Sequence, residues 1–317
     1  MTASLAAERW RTAGDHFPVS CRVHGALTSS TAWTRVFSRG WCDPAPPPGD
    51  LHVNPQATSL AIILLSSSNL AQCQIQKVVP TNGAASDLFG DVVAVSGDSA
   101  FVGQLGPAGS IYVYRRSAGS WLPRQQIVPA DYFYFDRFAS DIAMSGPAAV
   151  VSSPLHSHSV ASAGLLHLYE DLPGGWAHTQ ELVASDAAQH DYFGFDAGMD
   201  GDVIVAGSST NDLPGIPNAG AAHVFEGSLN GWVETAKLIA LDASTLAAFG
   251  WGVAVAGDTI VVSAAQDGSL PRAAYVFEST TNGWRVTQKL TSAVSLPNDR
   301  FGGSVAIDGN HIVVGTP

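Results

Sequence analysis

From about residue 74 onward, apolar positions come in short runs broken by Gly, Asp and Asn. Runs such as Val92-Val93-Ala94-Val95 and Val253-Ala254-Val255 lead into Gly-Asp pairs, and Val203-Ile204-Val205 and Ile260-Val261-Val262 leave them. Two β-branched runs around a two-residue turn predict a hairpin. A third run carries an aromatic, as in Ile111-Tyr112-Val113-Tyr114 and Ala274-Tyr275-Val276-Phe277. A fourth begins at Trp and continues through Gln180-Glu181-Leu182 or Gln288-Lys289-Leu290. The pattern predicts four strands in about 50 residues, the size of one propeller blade.

The same pattern recurs. Copies start at Phe89, Phe138, Phe193, Phe249 and Phe301, and eight residues after each stands Gly97, Gly146, Gly201, Gly257 or Gly309. Trp121, Trp176, Trp232 and Trp284 each precede the next repeat Phe by 17 residues and follow an aromatic (Tyr114, Tyr169, Phe225, Phe277) by seven. Length varies only between the second strand and the third-strand aromatic, so the variable loops belong there. A lone blade exposes both faces of its sheet, so stacked neighbours must bury them. The repeated Phe and Trp are the expected inter-blade core. The expected fold is all-β, a propeller of four-stranded blades. Four full repeats plus partial ones leave two readings open, a five-bladed ring or a truncated seven-bladed one.

Residues 1–58 lack this periodicity and hold the Pro44-Ala45-Pro46-Pro47-Pro48-Gly49 run, which reads as a linker, a disordered extension or an incorrectly placed start. Within 59–73, Leu60-Ala61-Ile62-Ile63-Leu64-Leu65 is too short to span a bilayer. It suits the apolar core of an export signal, with Ala71 at a cleavage position, which makes secretion or cell-surface display the expected location. The propeller repeats occupy 74–317.

Charge removes one class of partner. The formal net charge of −12 repels phosphate backbones, so no nucleic acid is expected. Cys21, Cys42 and Cys73 form neither a disulfide framework nor a CxxC pair.

The recurring Phe-Gly, Val-Ala-Val, Gly-Asp, Ile-Val-Val, Ala-Tyr-Val-Phe and Gly-Trp segments resemble the FG-GAP repeat of integrin α-subunit-like propellers and secreted bacterial proteins. The resemblance covers roughly Gln74 to Pro317. It implies an extracellular propeller used in adhesion or in binding a protein or glycan. Many such repeats carry an Asp-x-Asp-x-Asp-Gly calcium loop between the first two strands. Here Ser96-Gly97-Asp98-Ser99 and Ala256-Gly257-Asp258-Thr259 stand instead, and one carboxylate per turn cannot cage calcium. No cofactor is expected.

Few residues suggest chemistry. His156 and His158 flank Ser157 in a variable loop, and alternate residues on an extended segment could share a metal, though no third ligand follows from sequence. Asp131 and Asp136 could form a carboxylate pair, but both recur in phase with the repeat (Asp186 and Asp242; Asp87, Asp191 and Asp299), which predicts turn or strand-end hydrogen bonds. The four Trp could instead make a sugar-stacking platform, the lectin alternative. No GxSxG, HExxH or P-loop occurs, so a non-catalytic scaffold is expected, with self-association through open blade edges.

Overall fold

The computed structural model describes residues 22–24, 76–80, 87–105, 109–129, 135–158, 160–229, 231–265, 272–293 and 300–316. Asp131, Asp299, Pro44 to Gly49 and the apolar Leu60 to Leu65 segment lie outside the described residues.

A short strand, β1 (Arg22–His24), runs parallel to the first strand of blade one. Blade one is β2 (Phe89–Ser96), β3 (Ser99–Gln104), β4 (Ser110–Ser117) and β5 (Ser120–Ile127). Blade two is β6 (Ile142–Ser145), β7 (Ala148–Ser153), β8 (Leu165–Leu172) and β9 (Gly175–Leu182). Blade three is β10 (Ala197–Asp200), β11 (Val203–Ser208), β12 (Ala221–Ser228) and β13 (Gly231–Leu238). Blade four is β14 (Phe249–Ala256), β15 (Thr259–Ala264), β16 (Ala273–Thr280) and β17 (Gly283–Thr291). A final hairpin is β18 (Ser304–Asp308) and β19 (His311–Gly315). Each blade is an antiparallel meander in sequence order, and consecutive blades stack through their first strands, as the repeat predicts.

In blades two to four the first three strands are mostly buried and the fourth is not, whereas in blade one the first strand is itself mostly half-buried. In blade three, Ile204, Val205 and Ala206 are fully buried because sheets cover both faces, so the strand reads as a continuous apolar run. The fourth strand β13 alternates half-buried and exposed positions. Phe138, Phe193 and Phe249 are fully buried. Each meets a third-strand ring of its own blade edge-on, His167, His223 and Tyr275 respectively, at centroid distances of 5.1, 5.5 and 5.5 Å. Phe101 of blade one packs edge-on against Trp176 of blade two at 4.7 Å, joining their facing sheets. Phe89 and Phe301, in the first blade and the final hairpin, are only half-buried.

The tight turns explain the repeated Gly. Gly97, Gly146, Gly201, Gly257 and Gly309 all have φ between 52° and 57°, and each is the first of two turn residues, where a type II′ hairpin favours Gly. The next carbonyl then accepts a third-strand amide: Asp98 from Arg116, Asp202 from Gly227 and Asp258 from Ser279, each at 2.8 Å. Pro147 serves the same way for Asp171, so the backbone rather than the Asp side chain does the work there.

Between the third and fourth strands every complete blade has a register shift, at Val113/Tyr114, Leu168/Tyr169, Val224/Phe225 and Val276/Phe277. A bulge adds one residue to the fourth strand. Fourth-strand positions three apart therefore face the same way, which strict alternation forbids.

Candidate functional site

Loops between the second and third strands, and connections between blades, gather at one end of the propeller, opposite the tight turns. Two of these loops are tied down alike. The Asp136 carboxylate meets His156 Nδ1 at 2.8 Å, both groups being buried. In blade three Asp191 accepts from Asn211 Nδ2 at 2.9 Å and from the Ala188 amide at 2.9 Å. His156 and Asn211 occupy the same repeat position, so His156 is the blade-two version of a loop anchor. His158 stacks near it, with ring centroids 6.5 Å apart.

The in-phase carboxylates hold third and fourth strands together. Asp242 accepts from Tyr275 Oη at 2.6 Å and pairs with Lys289. Burial alone would raise the Asp242 carboxyl, but hydrogen bonds from Lys289 and Tyr275 hold it below its ordinary range. Burial and the same carboxylate push the Tyr275 phenol up. In blade three His223 Nδ1 meets Glu234 at 2.9 Å, while Asp186 pairs with Lys237, which also donates to Asn211 Oδ1 at 2.8 Å. Against the opposing effect of burial, His223 and the Ser185 amide lower Glu234, and Lys237 lowers Asp186.

Trp176 is buried, whereas Trp121, Trp232 and Trp284 are half-buried. Their backbones are held by a device the sequence reading missed. Gln125 donates from Nε2 to the Trp176 carbonyl at 2.8 Å and accepts the Trp176 amide on Oε1 at 3.1 Å. Gln180 does the same to Trp232 at 2.7 and 3.0 Å, and Gln76 to Trp121 at 2.8 and 2.7 Å. Each Gln thus clasps the next blade, and residues 76–80 stand where a preceding blade's fourth strand would. Ala236 fills the position in blade three, so Trp284 lacks the clasp and its indole reaches Glu226 at 3.4 Å instead. Gln at the fourth residue after Trp121, Trp176 and Trp284 was a visible signal.

Two further joints cross blades. Asp141 accepts the Ala197 amide and Asp196 the Val253 amide, both at 2.8 Å and both buried. At the tight-turn end, an open depression of about 560 Å³ is lined by Arg115, Arg116, Asp98, Asp171 and Asp200. Arg115 there is committed to Asp171 at 2.8 Å and to Ser99 at 2.7 Å.

Among the described residues no helix is long and apolar enough to cross a membrane. The blades, the clasped Trp and the left-handed Gly turns define a propeller built from one repeated unit. The family model for the FG-GAP repeat matches residues 73–114, 176–225, 232–277 and 284–317, more than half of the sequence, and the chain belongs to that family. Three matches start at a fourth-strand Trp. The copy from Trp121 to Tyr169 is unmatched, and it has Phe138-Ala139 and Gly146-Pro147 where others have Phe-Gly and Gly-Asp or Gly-Asn. Comparison with curated proteins gives no significant match.

Proposed function

We propose that the chain is a non-catalytic binding scaffold, exported and used in adhesion, presenting its loop end to a protein partner. The observation that carries this reading is the contrast between a fixed frame and varied loops. Asp136–His156 and Asp191–Asn211 anchor loops of different sequence at equivalent points of adjacent blades. Rigid scaffolds with variable loops are where binding residues concentrate. The carboxylates nearest those loops recur in phase and are spent on Tyr275, Lys237, Lys289 and Asn211. Acid–base catalysis would need one asymmetric pair. FG-GAP membership and the apolar Leu60 to Leu65 segment support export.

Half-buried Trp121, Trp232 and Trp284 favour a second reading, a carbohydrate-binding propeller. One experiment separates the two: the full chain is applied to an array of immobilised extracellular proteins and to a glycan array, with and without residues 209–219 replaced by a Gly-Ser linker. The adhesion reading expects protein binding that the replacement abolishes. Glycan binding with sugar-dependent Trp quenching, unaffected by the replacement, would overturn it in favour of the lectin.

A further inference from the structure

Equivalent positions on the third and fourth strands carry different chemistry in each blade. Blade three has His223, Glu234 and Lys237, with Asp186 beside them. Blade four has Tyr275, Val286 and Lys289, with Asp242. In each row a Lys pairs with a carboxylate. Blade two instead has His167, His178 and Glu181. Relative to blade three, a Glu has become His and the Lys has become Glu. The fixed cation is gone and three metal-binding side chains stand in its place.

The bulge brings these three together. His167 pairs directly with Glu181 across β8 and β9, and His178 pairs with Tyr169, two residues along β8 on the same face. The shift between Leu168 and Tyr169 turns His178 and Glu181, three apart, to that face. Their ligand atoms lie within 4.8 Å of one another, and this is the group of three or more such side chains found among the described residues. The His167 and His178 rings are 5.5 Å apart. His167 is buried, while His178 and Glu181 are exposed and form no hydrogen bond to another described residue.

We propose that His167, His178 and Glu181 form a site for one zinc-class divalent cation. Two imidazoles and one carboxylate suit a borderline ion such as Zn²⁺, whereas calcium and magnesium prefer oxygen cages. Tetrahedral zinc with bonds of about 2.0–2.1 Å holds its ligand atoms about 3.4 Å apart. Rotation of the two exposed side chains supplies the contraction from 4.8 Å. His167 binds through Nδ1, the nitrogen by which His223 meets Glu234 in blade three. Its Nε2 lies 3.0 Å from Ser153 Oγ, an outer-shell bond of the kind that fixes the ring of a ligating histidine. Water completes the coordination. The cation links the third and fourth strands of blade two, a link that Asp242 makes in blade four by accepting from Tyr275 and pairing with Lys289. The site lies on side chains that the repeat pattern does not prescribe, His167 in the copy that the family model leaves unmatched and His178 and Glu181 at the start of the next match.

The test is calorimetric titration of ZnCl₂ into the full chain after chelator treatment. One equivalent should bind saturably, with CaCl₂ giving no comparable isotherm. His178→Ala and Glu181→Gln change exposed strand positions and should leave the circular dichroism spectrum intact while weakening zinc at least tenfold each. Ser153→Ala should weaken it about tenfold. His158→Ala, at an exposed loop position, should leave it unchanged. Absence of saturable zinc binding would overturn the proposal. So would zinc binding that survives His178→Ala combined with Glu181→Gln, or that disappears with His158→Ala.

Discussion

Replacing Gln125 by Ala removes both hydrogen bonds that join the fourth strand of blade one to Trp176, at 2.8 and 3.1 Å. Each contributes about 1 kcal/mol net, and the loss leaves a backbone donor and acceptor beside a buried Trp, so the expected cost is about 2 kcal/mol. For a folded unit of this size that lowers the melting temperature by about 4–8 °C. Gln180→Ala should cost the same through Trp232. The two act at different interfaces with no shared partner, so the double variant should lose about 4 kcal/mol. Gln288 is the internal control. It has the same residue type at the same strand position, but it is exposed and clasps no Trp among the described residues. Gln288→Ala should therefore stay within about 0.5 kcal/mol of the parent. Ala236→Gln supplies the absent clasp to Trp284. A Cβ at the adjacent Gly283 has nothing within 4 Å, whereas at Gly175 and Gly231 it would lie 3.0 and 2.9 Å from the clasping Gln oxygen. The assay is urea unfolding followed by far-ultraviolet circular dichroism. If Gln288→Ala costs as much as Gln125→Ala, the stabilisation comes from strand propensity and the clasp argument is refuted.

Glycines at the repeat starts should differ sharply in tolerance. A Cβ on Gly250 would lie 2.1 Å from the Ala221 carbonyl oxygen, whereas on Gly90 it meets nothing within 4 Å. In urea unfolding Gly250→Ala should lose more than about 3 kcal/mol, and Gly90→Ala only the left-handed penalty of about 1–2 kcal/mol; equal losses would contradict the close approach of blades three and four. Asp242 has a lowered folded pKa, so its contribution is present above its unfolded value and lost as pH falls through the folded one. Discounted for its exposure, Asp242→Asn should cost about 0.5 kcal/mol at pH 7. That difference should begin to shrink only near about pH 4 and vanish below the lowered folded pKa, and a gap that widens on acidification would reverse the sign of the argument.

The strands, turns and inter-blade rings were legible because each depends on local chemistry repeated in phase. Gly97 and its equivalents need left-handed backbone, and Phe138, Phe193 and Phe249 fill equivalent burial sites. The anchors at Asp191 and Asp242 were legible as strand-end hydrogen bonds, though not their partners, since Asn211 and Tyr275 are brought near only by folding. The row of His167, His178 and Glu181 was hidden for a definite reason. Period-two reasoning sends residues 178 and 181 to opposite faces, and only the bulge at Leu168/Tyr169 reverses that. The clasp stayed hidden because its members sit on different blades, about 50 residues apart, and a Gln on an exposed strand resembles any solvated polar residue.

The clasp also bears on how such chains change length. A family match such as 176–225 opens on the fourth strand of one blade and closes on the third strand of the next. Such a unit holds the clasping Gln180 together with the third-strand residues of the blade that follows. A duplicated block brings its own half of the junction on each side: a Trp to be held by the unit before and a Gln to hold the unit after. Duplication of such a unit can thus lengthen the array with a clasp at every new junction.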